Sequence, residues 1–258
     1  MRLFVMFLFL GLMGSCFMVD QVKAEELPAI KIVLCGDSTV QDYSLPNERR
    51  GWGQVIGEFL SDKVTIVNLA AGGRSTKTFI KEGRLDNALA ANADYAMIQF
   101  GHNDSHAKDK PEATDANGDY KTYLEQYISS FNDKNVKMVF VTPMHRRIFR
   151  EGKLVTWLLA YRNAMIEVAK KHDQPLVDLY MHSEVLMEAL GEQDSGYLSC
   201  NAKDRSHFSP AGARAMALCI LKDLQEQNHP LAAYIKPEVA SKIKQSTYPN
   251  LAPSPEDQ

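Results

Sequence analysis

Five short apolar runs, each separated from the next by a stretch long enough to cross a sheet, predict one α/β domain. Its sheet is expected to be mostly parallel, five-stranded and covered by helices on both faces. The runs are residues 32–34, 64–67, 95–100, 136–141 and 176–177. Between them lie helical patterns, and no repeat, low-complexity block or change of composition divides the chain.

The elements follow in order. Trp52, Val55, Ile56, Phe59 and Leu60 recur at the i, i+3, i+4, i+7, i+8 spacing of a helix with one buried face. Short helices are expected at 76–80 and 85–89 around Gly83, and longer ones at 120–131, 154–171, 178–190 and 210–225. The last carries Pro210 near its first turn, where the missing N–H costs nothing. Trp52 and Trp157 sit at helical core spacing and read as packing residues. The polar stretch 105–118, with Pro111, Asp115, Asn117 and Gly118, reads as an excursion loop, and 145–153 as a second surface excursion. Residues 191–206 are irregular. The proline-bearing end, 246–258, is expected to be a flexible tail.

The N-terminus reads as a targeting signal. Met1-Arg2 is a short positive region, residues 3–19 are almost wholly apolar, and Val22-Lys23-Ala24 places small residues where a signal peptidase cuts, before Glu25. Residues 1–24 are therefore assigned to a signal peptide and 25–245 to the folded domain, with a secreted or periplasmic product. A retained anchor is the alternative, although Asp20 closes the apolar stretch just short of a spanning length. Lipidation at Cys16 is another, poorly served by Met13. The remaining cysteines, Cys35, Cys200 and Cys219, are odd in number; Cys200 and Cys219 could pair, and Cys35 reads as a small buried hydrophobe within the first strand. No metal-ligand spacing is present, and no metal or cofactor is expected.

Of the 258 residues, 45% are hydrophobic and 24% charged, a globular composition. The net charge of −3, with Lys and Arg scattered among acids, provides no electrostatic footprint for nucleic acid or an anionic membrane, and a neutral or small substrate is expected. Oligomeric state is not legible.

Ligands of an open parallel sheet collect outside the carboxyl ends of its strands. Three such ends carry Gly36-Asp37-Ser38, Gly72-Gly73-Arg74-Ser75 and Gly101-His102-Asn103-Asp104, and Asp204-Arg205-Ser206-His207 precedes the last long helix. Singly these are ordinary turn residues. Together they meet a specific requirement: a serine hydroxyl needs an adjacent base, the base needs an acceptor that holds its tautomer, and the oxyanion needs fixed donors. Ser38, His207 and Asp204 are the candidate catalytic residues; the N–H groups of Ser38 and Gly73 and the amide of Asn103 are the candidate oxyanion donors. Gly72-Gly73 leaves open which glycine donates; Gly73, directly before Arg74-Ser75, is chosen. Asp37 and Asp104 read as turn anchors, and His102 as a packing residue.

These four blocks, in this order, resemble those of the SGNH (GDSL-like) hydrolases. Gly36-Asp37-Ser38-Thr39-Val40, Ala71-Gly72-Gly73-Arg74-Ser75-Thr76 with Phe79, Glu82-Gly83-Arg84-Leu85, Phe100-Gly101-His102-Asn103-Asp104 and Asp204-Arg205-Ser206-His207-Phe208 are similar to the rhamnogalacturonan acetylesterase branch. The resemblance implies a flavodoxin-like α/β/α sandwich, a Ser-His-Asp triad and cofactor-free removal of acetyl groups from a pectic polysaccharide. Arg74, His145 and Arg146 are candidate substrate contacts, since a guanidinium can grip a uronic-acid carboxylate; for His145, Arg146 and Arg147 a solvated surface run is the alternative. Acetylated xylan and a lysophospholipid are rival substrates, the latter disfavoured by the polar excursions. A non-catalytic carbohydrate-binding protein is expected to lack one of the four blocks, and none is missing.

Overall fold

The computed structural model describes residues 26–253; the expected signal segment 1–24, with Cys16, lies outside them. Five parallel strands form the central sheet: β1 (Ile30–Gly36), β2 (Val64–Asn68), β3 (Tyr95–Gln99), β4 (Lys137–Val141) and, after a small hairpin of β5 (Phe149–Arg150) and β6 (Lys153–Leu154), β7 (Leu176–Val177). Their spatial order is β2-β1-β3-β4-β7, so the connection direction reverses between β1 and β3, the switch point where ligand crevices open.

Side chains alternate across the strands into two cores. Val33, Cys35, Ala96, Ile98, Met138 and Phe140 face α2 (Thr76–Lys81), α3 (Arg84–Leu89), α4 (Asp119–Asn132) and α5 (Leu159–Lys171). Ile32, Leu34, Met97, Val139 and Val141 face α1 (Trp52–Val55), α6 (Leu179–Asp194), α7 (Pro210–Glu226) and α8 (Pro237–Gln245). The result is the three-layer sandwich. Phe79 and Phe100 are fully buried and meet edge to face at 5.3 Å beneath the strand ends, each such burial contributing about 1.5–3 kcal/mol.

Three expectations are corrected, and the open question of a Cys200–Cys219 pair is answered. The helix expected from residue 154 begins at Leu159, because Glu151 and Gly152 take positive φ and turn the chain into the β5–β6 hairpin, where the Leu154 N–H donates to Glu188 Oε1. Trp157 therefore lies in a connection rather than on a helix face, and it is 57% exposed. Proline at the start of a helix removes no bond, and α8 starts at Pro237. The chain also stays packed beyond residue 246: Tyr248 stacks on His182 and Leu251 is buried, within the short turn Tyr248–Leu251. Cys35, Cys200 and Cys219 are all unpaired thiols. Burial pushes the Cys35 and Cys219 thiols well up, as befits small core residues.

Candidate active site

The turn after β1 is built by Asp37. Its backbone carbonyl accepts the N–H groups of Val40 and Gln41, and its Oδ1 accepts the Thr39 N–H at 2.8 Å and hydroxyl at 2.7 Å. This Asx-type turn leaves Ser38 at its apex, partly exposed. Beneath it runs a buried polar line: Trp52 Nε1 donates to Gln99 Oε1, and Gln99 Nε2 donates to Thr39 Oγ1. Trp52 thus packs and also braces the turn. Burial works against the ionised Asp37 carboxyl, but His102 and Thr39 outweigh it and hold the group below the usual carboxylate range. His102 Nδ1 lies 3.5 Å from Asp37 Oδ2, which brings the third turn against the first.

The third turn needs Gly101. Its φ is +142°, and a Cβ there would lie 2.6 Å from Pro143 Cγ. Asp104, at the end of that turn, reaches the second turn: its carboxylate accepts the Thr76 N–H and hydroxyl and the Thr114 hydroxyl. Burial pushes its carboxyl up to about 7 against those donors. His145, by contrast, is pushed down to about 4 by burial.

These two groups oppose each other. Asp104 binds a proton more tightly when folded, so its contribution to stability is present at low pH and is lost as pH rises through about 7. His145 binds its proton less tightly when folded, so stability rises with pH between about 4 and the unfolded value near 6.5. Asp104→Asn, which mimics the protonated carboxyl, is expected to gain about 2–3 kcal/mol relative to the parent between pH 5 and 7. Urea midpoints at the two values check this, and parallel curves would remove the titration from Asp104.

The base arrives from elsewhere in the chain. Cys200 N–H donates to the His207 carbonyl, Ser209 N–H to that of Leu198, and Arg50 N–H to that of Phe208. Buried Arg147 ties the hairpin to this segment: its N–H donates to the Arg205 carbonyl, its Nε to Ser199 Oγ and its Nη1 to the Glu192 carbonyl. Ser209 caps α7 by accepting the Gly212 N–H, which sets His207 just ahead of the helix. Asp204 Oδ1 accepts the N–H groups of Ser206 and His207, each at 3.0 Å. His207 Nδ1 lies 2.8 Å from Asp204 Oδ2, and Nε2 lies 2.9 Å from Ser38 Oγ. With the proton on Nδ1, the imidazole donates to Asp204 and accepts from Ser38. Burial opposes the Asp204 charge, but those N–H donors and the imidazole hold its carboxyl well below the usual range.

Of the two glycines, Gly72 donates its N–H to Gln41 Oε1. Gly73 sits at φ +78°, suited to glycine, and among the described residues neither its N–H nor that of Ser38 has an acceptor. Asn103 Nδ2 spends one proton on the Arg74 carbonyl at 2.9 Å and keeps one. Ser38, Gly73, Asn103 and His207 line one cavity of about 430 Å³, a size suited to a small ligand.

The expected substrate contacts divide. Arg146 lines the cavity. His145 does not: it is buried against Tyr180 at 3.8 Å, and its backbone N–H donates to Ser183 Oγ. Arg74 does not line it either, because Glu82 and the Gly72 carbonyl hold its guanidinium. Sequence reasoning missed Gln41, Tyr43, Arg49 and His106, all of which line the cavity. They occur in loops without periodicity, so no local signal marks them. Cys200, beside Asp204, has its thiol pushed up by burial and by that carboxylate.

Comparison with known proteins places this geometry. The model of the GDSL-like lipase/acylhydrolase family matches residues 34–215, from within β1 into α7. The chain is 36% identical to the probable rhamnogalacturonan acetylesterase YesY of Bacillus subtilis (strain 168) over 210 residues, covering 79% of this chain and 96% of the relative. It is also 36% identical to the rhamnogalacturonan acetylesterase RhgT of the same organism over 224 residues, covering 80% and 94%. Among solved structures, the acetylxylan esterase Axe2 of Geobacillus stearothermophilus shares the fold, with a TM-score of 0.62 at 17% identity over 76% of this chain and 94% of that one. The matched span contains every turn that reaches the cavity, and on that footing the chain belongs to the GDSL-like lipase/acylhydrolase family and is an ester-hydrolysing enzyme.

Proposed function

We propose that this enzyme is exported and removes acetyl groups from rhamnogalacturonan through an acetyl-enzyme on Ser38. The observation that carries the chemistry is the continuous hydrogen-bonded line from Asp204 through His207 to Ser38. Ser38 Oγ attacks the acetyl carbonyl carbon as His207 Nε2 takes the hydroxyl proton. The carbonyl oxygen becomes an oxyanion and receives the N–H groups of Ser38 and Gly73 and the free Asn103 proton. The bond from the carbonyl carbon to the sugar oxygen then breaks, and His207 returns the proton to that oxygen. Water, deprotonated by His207, attacks the acetyl-serine; acetate leaves and Ser38 recovers its proton. Asp204 accepts from Nδ1 throughout and offsets the charge of the imidazolium.

The polysaccharide is supported by the two 36%-identical relatives and by a cavity lined mostly by polar side chains, among them Gln41, Tyr43, Arg49 and Arg146. Export is supported by the leader-like composition of residues 1–24. The test is acetate release from acetylated rhamnogalacturonan, acetylated xylan and a lysophospholipid compared at equal ester concentration. Rhamnogalacturonan is expected to give a kcat/KM at least about tenfold above the others, a difference of about 1.4 kcal/mol in transition-state binding. A preference for xylan or lipid would overturn the substrate, and protein recovered from the medium without cleavage at Glu25 would overturn the processing.

A further inference from the structure

A cavity of about 430 Å³ takes a small ligand. A polysaccharide therefore engages it with its acetylated stretch alone, and the sugar rings on either side run over the rim. In a parallel sheet that rim is made by the connections from strand ends to helices. The connection from β1 to α1 supplies Gln41, Tyr43 and Arg49 to the cavity wall, and the connection from β4 to α5 supplies Arg146. The two most exposed large hydrophobic side chains among the described residues stand in these same connections. Leu45, 80% exposed, lies between Tyr43 and Arg49, and Trp157 follows the β5–β6 hairpin. Single apolar side chains on a surface are ordinary, but two on the connections that wall one polar cavity mark a contact surface.

Trp157 is the more telling of the two, because its exposure is built into the segment. An aromatic side chain that packs removes a large apolar area from water. Leu154 and Leu158, on either side of Trp157, are both buried, so the core is within reach of this segment and the indole is nonetheless turned outward. The Leu159 N–H donates to the Thr156 carbonyl at 3.1 Å and the Val155 N–H to that of Ile148 at 2.9 Å, which places Trp157 in a closed turn directly ahead of α5. About one helical turn further on, the Tyr161 hydroxyl lies 2.9 Å from the Asp104 carbonyl and 2.6 Å from that of Thr114. Asp104 adjoins Asn103, which lines the cavity. The turn that carries the indole is thereby fixed to the turn that carries an oxyanion donor. A pyranose ring has hydroxyls around its edge and C–H groups on its face, and an indole has an apolar face with its N–H at the edge. Laid face to face, they take both apolar surfaces out of water and leave the hydroxyls solvated.

We propose that Trp157 is a stacking platform for a sugar ring of the substrate chain outside the catalytic cavity, with Leu45 as a second apolar contact, and that the enzyme for this reason prefers long acetylated chains to short ones. This rests on the polysaccharide reading and deepens it by naming what holds the chain beyond the acetylated stretch. Neither side chain lines the cavity where Ser38 acts. Their contacts therefore serve the ground state and the transition state alike and appear in KM.

The test follows acetate release along a size series of acetylated rhamnogalacturonan oligosaccharides, from the shortest accepted to the polymer. The parent enzyme is expected to gain about 10- to 30-fold in kcat/KM along the series. In Trp157→Ala that gain is expected to shrink about tenfold, through KM, and Trp157→Phe restores part of it; Leu45→Ala loses about threefold. Each variant is compared with itself across the series, so a smaller folded fraction cancels. Fluorescence supplies a second readout. The sequence has two tryptophans and Trp52 is fully buried, so quenching by acrylamide reports on Trp157. In Ser38→Ala, which binds without turning over, long oligosaccharides are expected to shield Trp157 from the quencher and the shortest ones to leave it open. A parent enzyme indifferent to size, a size preference unchanged in Trp157→Ala, or full quenching with a long chain bound by calorimetry would each overturn the platform and leave the polysaccharide assignment standing. Acetylated xylan chains accepted in place of the pectic ones, with the size preference still lost in Trp157→Ala, would overturn the rhamnogalacturonan assignment and uphold the platform.

Discussion

Ser38→Ala is expected to lower acetate release by about 10⁴- to 10⁶-fold while leaving the fold intact. Ser38 is at the apex of its turn, and the bonds that shape the turn come from Asp37, Thr39 and Tyr43, whose hydroxyl donates to the Ser38 carbonyl. None uses the Ser38 hydroxyl, so alanine removes the nucleophile and little else. His207→Ala is expected to be nearly as damaging, and the double variant no worse than either single one, because nucleophile and base act as a unit. Acetate assays on the three proteins measure this, with a serine-directed inhibitor as an independent probe: mass analysis should place the adduct on the peptide containing Ser38. Undiminished turnover in folded Ser38→Ala would end the acetyl-enzyme mechanism.

Asn103→Ala is expected to reduce kcat by about 10²- to 10³-fold with KM little changed. The free amide proton of Asn103 is aimed at charge that exists only once the carbonyl has been attacked, so its loss falls on the transition state and spares the ground state. The variant also frees the Arg74 carbonyl, which lies at the partly exposed second turn where water can replace the lost donor. Steady-state constants on a small acetyl ester decide the matter; a decrease below about threefold would take Asn103 out of the oxyanion site.

The sheet was legible because buried parallel strands are continuous apolar runs, and the strand-end turns were legible because Gly, Asp and Asn have local conformational roles. Residues 32–34 and 64–67 lie within strands whose ends differ by only a few positions. What escaped was set by partners far away in the chain. Gly73 was chosen from its place before Arg74-Ser75, but the reason Gly72 is not free to donate is Gln41, 31 residues earlier, which occupies its N–H. His145 looks like its neighbour Arg146 in sequence, but Tyr180 and Ser183 hold it inside while Arg146 reaches the cavity. Trp157 had the spacing of a core residue, yet the hairpin ahead of it delays the helix that spacing assumes. The net charge of −3, summed over the whole chain, does not show that two arginines, Arg49 and Arg146, line the cavity.

The nucleophile and the oxyanion donors follow the ends of three adjacent strands, whereas the base hangs on residues 199–208, joined to the rest by isolated backbone bridges, by Arg147 and by the polar contacts of Asp204 and His207. Local opening follows the weakest cooperative unit. Activity is therefore expected to fail at a lower temperature than the fold does, because opening of residues 199–208 takes His207 from Ser38 without exposing the sheet. Activity and circular-dichroism melts check this: coincident curves would tie the segment to the core, and a gap that widens in Arg147→Ala would make that side chain the clamp on which durability in use depends.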